Sequence, residues 1–178
     1  MIDTEKGTYE VNTALKLLPY VFLRPVELCG LTWGEVDFEN RLLRIKAERM
    51  KMNKEHLVPM SKQVFNIFQS INNINSNSNY VFPSPNNVNK HISTNSILQL
   101  LRKCGVGKIT LTPHGFRHMA STILNELGYR PDIIEKQLSH SDKNSIRDAY
   151  NKAVYLEERK NMMQDYSNFL DNLKNKTK

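Results

Sequence analysis

Along residues 9–22 the apolar positions Val11, Ala14, Leu15, Leu18, Val21 and Phe22 recur at spacings of three and four, the repeat of an amphipathic helix. Pro19 is expected to kink or shorten it. Because proline is favoured in the first turn of a helix, Pro25 predicts a second, short helix running through Leu31, with Arg24 at its start. Two apolar runs, residues 41–45 and 56–60, flank the polar segment 51–55 (KMNKE) and predict two antiparallel strands around a basic loop. Residues 35–38 alternate too briefly to establish a third strand.

Ser61 is expected to cap a helix carrying Val64, Ile67, Phe68 and Ile71, followed by a polar Asn/Ser loop over residues 71–78 (INNINSNS). Residues 80–83 read as a brief edge strand, and Ser93 or Thr94 as the cap of a helix through Leu101. Thr112-Pro113 predicts the start of a helix holding His114, Arg117 and His118. Further helices are expected over 129–138 and from about residue 144 toward the end. The pattern is that of a mainly helical α+β domain with a small antiparallel sheet. It is read as one unit over 1–178, with a tail helix at about 157–178 whose Met162, Tyr166, Phe169 and Leu173 mark one apolar face. That face fits packing on its own domain and docking on a second protomer equally well.

The length of 178 residues suits one domain with a proper core. Lys and Arg number 25 against 18 Asp and Glu, a formal charge of +7 that suits a polyanionic partner without proving one. Cys29 and Cys104 lack metal spacing and are expected to be reduced, buried thiols. The most apolar run, residues 15–23, is far short of the roughly 20 residues of a membrane span, and the polar start has no hydrophobic signal region. An intracellular, cytoplasmic protein is therefore expected, with no membrane contact. Walker and GxGxxG loops are absent, so nucleotide binding has no sequence support.

The second half of the chain holds HGFRH at residues 114–118, LSH ending at His140, and then Tyr150 in AYNKA; the first half holds Arg24-Pro25-Val26-Glu27 and the hairpin motif around Lys51. In this order and context the set resembles the tyrosine recombinase family, and its branch of prophage and genomic-island integrases in particular. The match runs from about residue 15 to 163. Arg24 falls in the RxxE box, Lys51 in the KxNKExxVPM hairpin, His114 and Arg117 in the HxxR box, His140 in the LxH box, and Tyr150 ten residues later. Departures are mild: Leu23 replaces a frequent Gly or Thr, Ser139 a frequent Gly or Ala, and Tyr166 a common Trp.

The resemblance implies a catalytic domain for integration and excision of a mobile element, acting on double-stranded DNA through a 3′-phosphotyrosyl intermediate on Tyr150 and a free 5′-hydroxyl. It implies self-association on DNA, as a tetramer in the family, with accessory DNA-bending proteins as further partners. It also implies N-terminal DNA-binding domains, which are not recognised in this sequence. The rivals are a type IB topoisomerase-like enzyme, which rejoins the same strand, and a catalytically dead DNA-binding module.

The chemistry is consistent on its own terms. Conserving phosphodiester energy requires a covalent phosphoryl intermediate, which a tyrosine hydroxyl can form. A phenol with pKa near 10 is only about one part in a thousand ionised at neutral pH, so cations must stabilise the developing charge. Arg24 and Arg117 can each fork two hydrogen bonds onto the phosphate. His114 and His140 can donate hydrogen bonds or move the tyrosine proton. The departing 5′-oxygen needs a proton, for which the resemblance favours Lys51, with Lys54 next in the same loop. Glu27 would repel a phosphate and is read as a partner of a neighbouring cation. No cofactor is expected. His114 and His118 at i, i+4 could hold zinc, but the HExxH glutamate is missing and Arg117 would repel the metal. His118 is read instead as a packing or supporting residue, and a lone Tyr150 would usually be a half-buried helical tyrosine.

Overall fold

The computed structural model describes residues 6–75, 77–107, 111–140 and 145–176, with the side chains of residues 75 and 145–154 outside the description. The first helix, α1 (Tyr9–Val21), crosses Pro19 and stops two residues later, at Phe22 in the left-handed region with φ 58°. A short helix α2 (Pro25–Cys29) follows, with Arg24 as its N-cap and Pro25 in the first turn. It ends two residues earlier than the sequence reading, at Gly30.

Strands β1 (Val36–Asp37), β2 (Leu42–Ile45) and β3 (His56–Pro59) form one antiparallel sheet in that order. Leu43 faces Val36 on one side and Val58 on the other, so the brief 35–38 alternation does become a third strand. Helix α3 (Lys62–Asn75) continues through the first half of the expected Asn/Ser loop. Its apolar stripe, ending at the buried Ile71, carries the helix one turn into polar sequence. A two-stranded ribbon, β4 (Pro83–Ser84) and β5 (Asn87–His91), replaces the expected strand at 80–83, where Tyr80 makes only an isolated bridge to Thr32. Strand β5 is exposed along its length, and its polar sequence gave no alternation to read.

Helix α4 (Thr94–Lys103) is capped by Ser93, whose hydroxyl accepts from the Ser96 backbone N–H at 3.1 Å. Helix α5 (Gly115–Glu126) starts later than expected, with His114 as N-cap and the Thr112 hydroxyl accepting from Gly115 N–H. Helix α6 (Pro131–Gln137) and the long α7 (Ser145–Lys176) complete the chain.

The core has two parts. The larger is organised by α1, whose Ala14, Leu15, Leu17, Leu18 and Val21 are all buried as it packs against α2, α3, α4, α5 and α7. In the smaller, Phe22, Ala120, Leu124, Ile133, Ile134 and Leu138 close around Met162, Met163 and Tyr166 of α7, with Tyr166 edge-on to Phe22 at 5.0 Å between ring centroids. The tail therefore lies on its own domain. Ser167 bonds Ser61, and Asp171 takes bonds from Tyr20 and Gln63. Cys29 is buried, which pushes its thiol up to about 12, whereas Cys104 is only partly covered.

Truncation after Tyr155 is thus expected to unfold the domain. Losing a buried large side chain costs about 2–5 kcal/mol, so three of them approach the whole 5–15 kcal/mol margin typical of a domain. Thermal unfolding followed by circular dichroism checks this; a cooperative transition retained by the truncated chain would show that α7 is dispensable.

Candidate active site

Four of the six polar residues singled out in the sequence come together. Arg24 stands at the start of α2, where its own backbone N–H and its Nη1 both donate to the Glu27 carboxylate, at 2.8 and 2.7 Å. Glu27 is buried, so the pair fixes the arginine's base while its Nη2 reaches toward the Ser139 carbonyl at 3.5 Å. Arg117, on the first turn of α5, is 4% exposed. Its Nη1 donates to the Phe22 carbonyl and its Nη2 to the Leu138 carbonyl. One guanidinium therefore ties the approach to Arg24 to the approach to His140.

Both anchored segments contain a non-glycine residue in the left-handed region, Phe22 at φ 58° and Ser139 at φ 52°. That conformation costs about 1–2 kcal/mol per residue and persists where surrounding contacts impose it. The Arg117 and Arg24 bonds are such contacts. Burial, with Arg24 adding to it, brings the Arg117 pKa down to about 10, so the guanidinium stays charged at neutral pH.

His114 and His140 are both exposed, and His140 lies near enough to act on the His114 charge. The His114 pKa is lowered by burial first, then by Arg117, His118, Arg24 and His140, which is the electrostatic mark of a crowded cationic cluster. His140 hydrogen-bonds through Nδ1 to Glu135 at 2.5 Å. His118 is exposed with its ring 5.3 Å from that of His114, so it supports that imidazole rather than packing the helix. Among the described residues, no group of three His, Cys, Asp or Glu side chains could hold a metal ion.

Lys51 is exposed in the connection between β2 and β3, and none of the described contacts joins it to the four residues above. Tyr150 lies on α7, which opens five residues after His140; its side chain falls outside the described set. The chain between them, 141–144, also lies outside the described residues.

Two supporting groups escaped the sequence reading. Arg49, two residues before Lys51, pairs with the buried Glu35 and donates to the Glu27 carbonyl at 2.7 Å, clamping the hairpin base to α2. Glu35 also accepts from Thr32 and from the Lys46 backbone N–H. Behind the arginines lies a buried polar group of His56, Gln137 and Arg159. Arg159 donates through Nε to Gln137 Oε1 at 2.9 Å and through Nη2 to the Leu57 carbonyl, and the His56 ring bonds the Gln137 backbone. Local motifs could have flagged these residues only one by one, because the bonds that join Arg49 to Glu35 and Arg159 to Leu57 span 14 and 102 positions.

Burial, reinforced by Arg159, Arg117 and Arg24, pushes the His56 pKa down to about 3. Above pH 6.5 the ring is neutral whether the chain is folded or not. As pH falls below 6.5 the unfolded chain takes up a proton that the folded one refuses, so stability is lost progressively toward pH 3, by about 1.4 kcal/mol per unit. Unfolding in urea is expected to show a loss of about 2 kcal/mol between pH 6.5 and 5, with a small contribution of the same sign from His114. His56→Leu should remove most of that slope; an unchanged slope would place its origin elsewhere.

The phage integrase family matches residues 1–157 of the chain. The chain is 42% identical over 171 residues to the integrase of Shigella phage Sf6 and equally to the prophage integrase IntS of Escherichia coli (strain K12). In both cases the match covers 96% of this chain but 44% of the relative, so the chain spans less than half the length of these relatives. Its fold is similar to that of the Tn1549 transposon integrase solved in complex with a circular intermediate DNA, with a TM-score of 0.67 at 23% identity over 79% of this chain and 54% of that one. Among the described residues, no helix is long and apolar enough to cross a membrane.

Proposed function

The chain belongs to the phage integrase family, and on that premise we propose that it is the catalytic domain of a site-specific DNA recombinase that integrates and excises a mobile element. The observation that carries this reading is the convergence of Arg24, Arg117, His114 and His140 in one cationic cluster, with α7 and Tyr150 following in the chain.

In the proposed reaction the Tyr150 oxygen attacks the scissile phosphorus. A bond from that oxygen to phosphorus forms, the bond from phosphorus to the 5′-oxygen breaks, and the 3′ end remains on the tyrosine. Arg24 and Arg117 neutralise the charge that builds on the non-bridging oxygens, while His114 and His140 donate hydrogen bonds there or relay the tyrosine proton. Lys51 supplies the proton to the departing 5′-oxygen. Its exposed loop allows it to close onto a bound strand. Rejoining is the same sequence reversed, with a 5′-hydroxyl as nucleophile. Double-stranded DNA is the substrate and self-association on it, as a tetramer, brings the strands to be exchanged together; a cytoplasmic site of action follows from the substrate.

The test uses a pool of nicked duplexes with randomised centres, in which cleavage frees a short strand and so traps the intermediate. Denaturant-resistant adducts of the 178-residue chain with DNA are expected. Binding without adduct would identify a DNA-binding module instead. The same assay in excess chelator should give undiminished adduct, because side-chain cations supply the electrostatics that metals supply elsewhere. Loss on chelation with recovery in zinc would redirect attention to His114 and His118.

A further inference from the structure

The buried polar group behind the arginines joins three segments that the proposed reaction must keep in register. Arg159 sits on α7, nine residues beyond Tyr150. Its Nε holds Gln137, three residues before His140 at the end of α6, and its Nη2 holds the Leu57 carbonyl in β3, the strand that leaves the Lys51 loop. His56, the neighbour of Leu57, closes the loop by bonding the Gln137 backbone. The next residue after Gln137, Leu138, gives its carbonyl to Arg117.

This arrangement is costly if stability is its only purpose. Arg159 is 3% exposed and Gln137 fully buried, and among the described residues the buried Nε2 atoms of both Gln137 and His56 have no hydrogen-bond partner. An unsatisfied buried polar atom costs about 1–3 kcal/mol, and taking a cation such as Arg159 out of water carries a penalty of several kcal/mol. A directional cationic clamp does what an apolar plug cannot, because two fork positions fix both the distance and the orientation of the segments they hold.

We propose that Arg159, with His56 and Gln137, is a positioning clamp that sets the Tyr150 helix and the Lys51 hairpin in register with the Arg24 and Arg117 surface. It touches neither substrate nor reacting atoms. The inference rests on the recombinase reading above and concerns residues that reading does not use.

The experiment takes the duplex recovered by the wild-type chain and measures the single-turnover rate of adduct formation at saturating DNA, the DNA affinity, and the thermal midpoint. Arg159→Met keeps the apolar stem and removes the fork. A fall of about a hundredfold in rate is expected, the scale of a misplacement of about 1 Å remote from the chemistry, with DNA affinity within about twofold. Arg159→Lys, which can hold one of the two acceptors, should recover part of the rate. If Arg159→Met does not fold, His56→Leu, which removes the bond from β3 to the Gln137 backbone and leaves the Arg159 bonds in place, should reproduce part of the rate loss, about tenfold. A folded variant with the wild-type rate overturns the clamp, as does a defect confined to DNA affinity. A wild-type chain that forms no adduct overturns the recombinase reading itself, and the clamp with it.

Discussion

Tyr150→Phe is expected to abolish the covalent adduct, below detection, while DNA affinity stays within about twofold. The substitution deletes one hydroxyl from a residue on α7 and changes neither charge nor helix propensity appreciably. DNA affinity rests on the cationic surface and on counterion release, to which a neutral phenol contributes little. Without the hydroxyl no phosphotyrosyl bond can form, so the effect is all or none rather than a fold-change. Gel electrophoresis in denaturant with labelled DNA reads it directly. A persistent adduct would transfer the role to Tyr155, the next tyrosine on the helix. Tyr155 is poorly suited, since it is partly buried beneath the Arg130 guanidinium at 5.5 Å and hydrogen-bonded with Arg130 and Asp132.

Arg117→Lys is expected to lower the rate of adduct formation by a hundredfold or more and to destabilise the fold as well. The two effects have different causes. Loss of a charge-stabilising donor in a preorganised site typically costs about 3 kcal/mol of transition-state stabilisation, and a lysine cannot reproduce the planar fork. Separately, the guanidinium now satisfies the Phe22 and Leu138 carbonyls, which flank Arg24 and His140. A lysine can reach one of them, leaving the other unsatisfied at about 1–3 kcal/mol. Urea unfolding separates the stability loss from the rate loss. If the rate falls only in proportion to the fraction unfolded, Arg117 is structural and its catalytic role is wrong. Arg24→Lys provides the contrast, because Arg24 is partly exposed and its main partner, Glu27, remains within a lysine's reach; a comparable rate loss with a smaller stability loss is expected there.

The sequence reading located the helices better than their limits. Residues 9–22 and 145–176 carry strong apolar periodicity or length, and both become helices close to the expected bounds. Helix α3 ran past the Asn/Ser boundary because a buried Ile71 outweighs the weak helix propensity of asparagine. The β4 and β5 ribbon was missed because Asn87 to His91 has no buried face to impose a period of two.

Local sequence alone singled out the groups proposed to carry the chemistry, Arg24, Lys51, His114, Arg117, His140 and Tyr150, through short motifs that resemble those of the family. Tertiary structure decided what those motifs could not contain. It chose the tail's partner, seating Met162, Met163 and Tyr166 against Phe22 and α5 within the same domain, where amphipathicity could say only that some surface covers them. It likewise turned Arg49, His56, Gln137 and Arg159 from unremarked polar residues into the buried connections between α2, the hairpin, α6 and α7. Burial and long-range hydrogen bonds are properties of pairs distant in the chain. A periodic pattern records that a side chain is hidden, and only folding specifies what hides it.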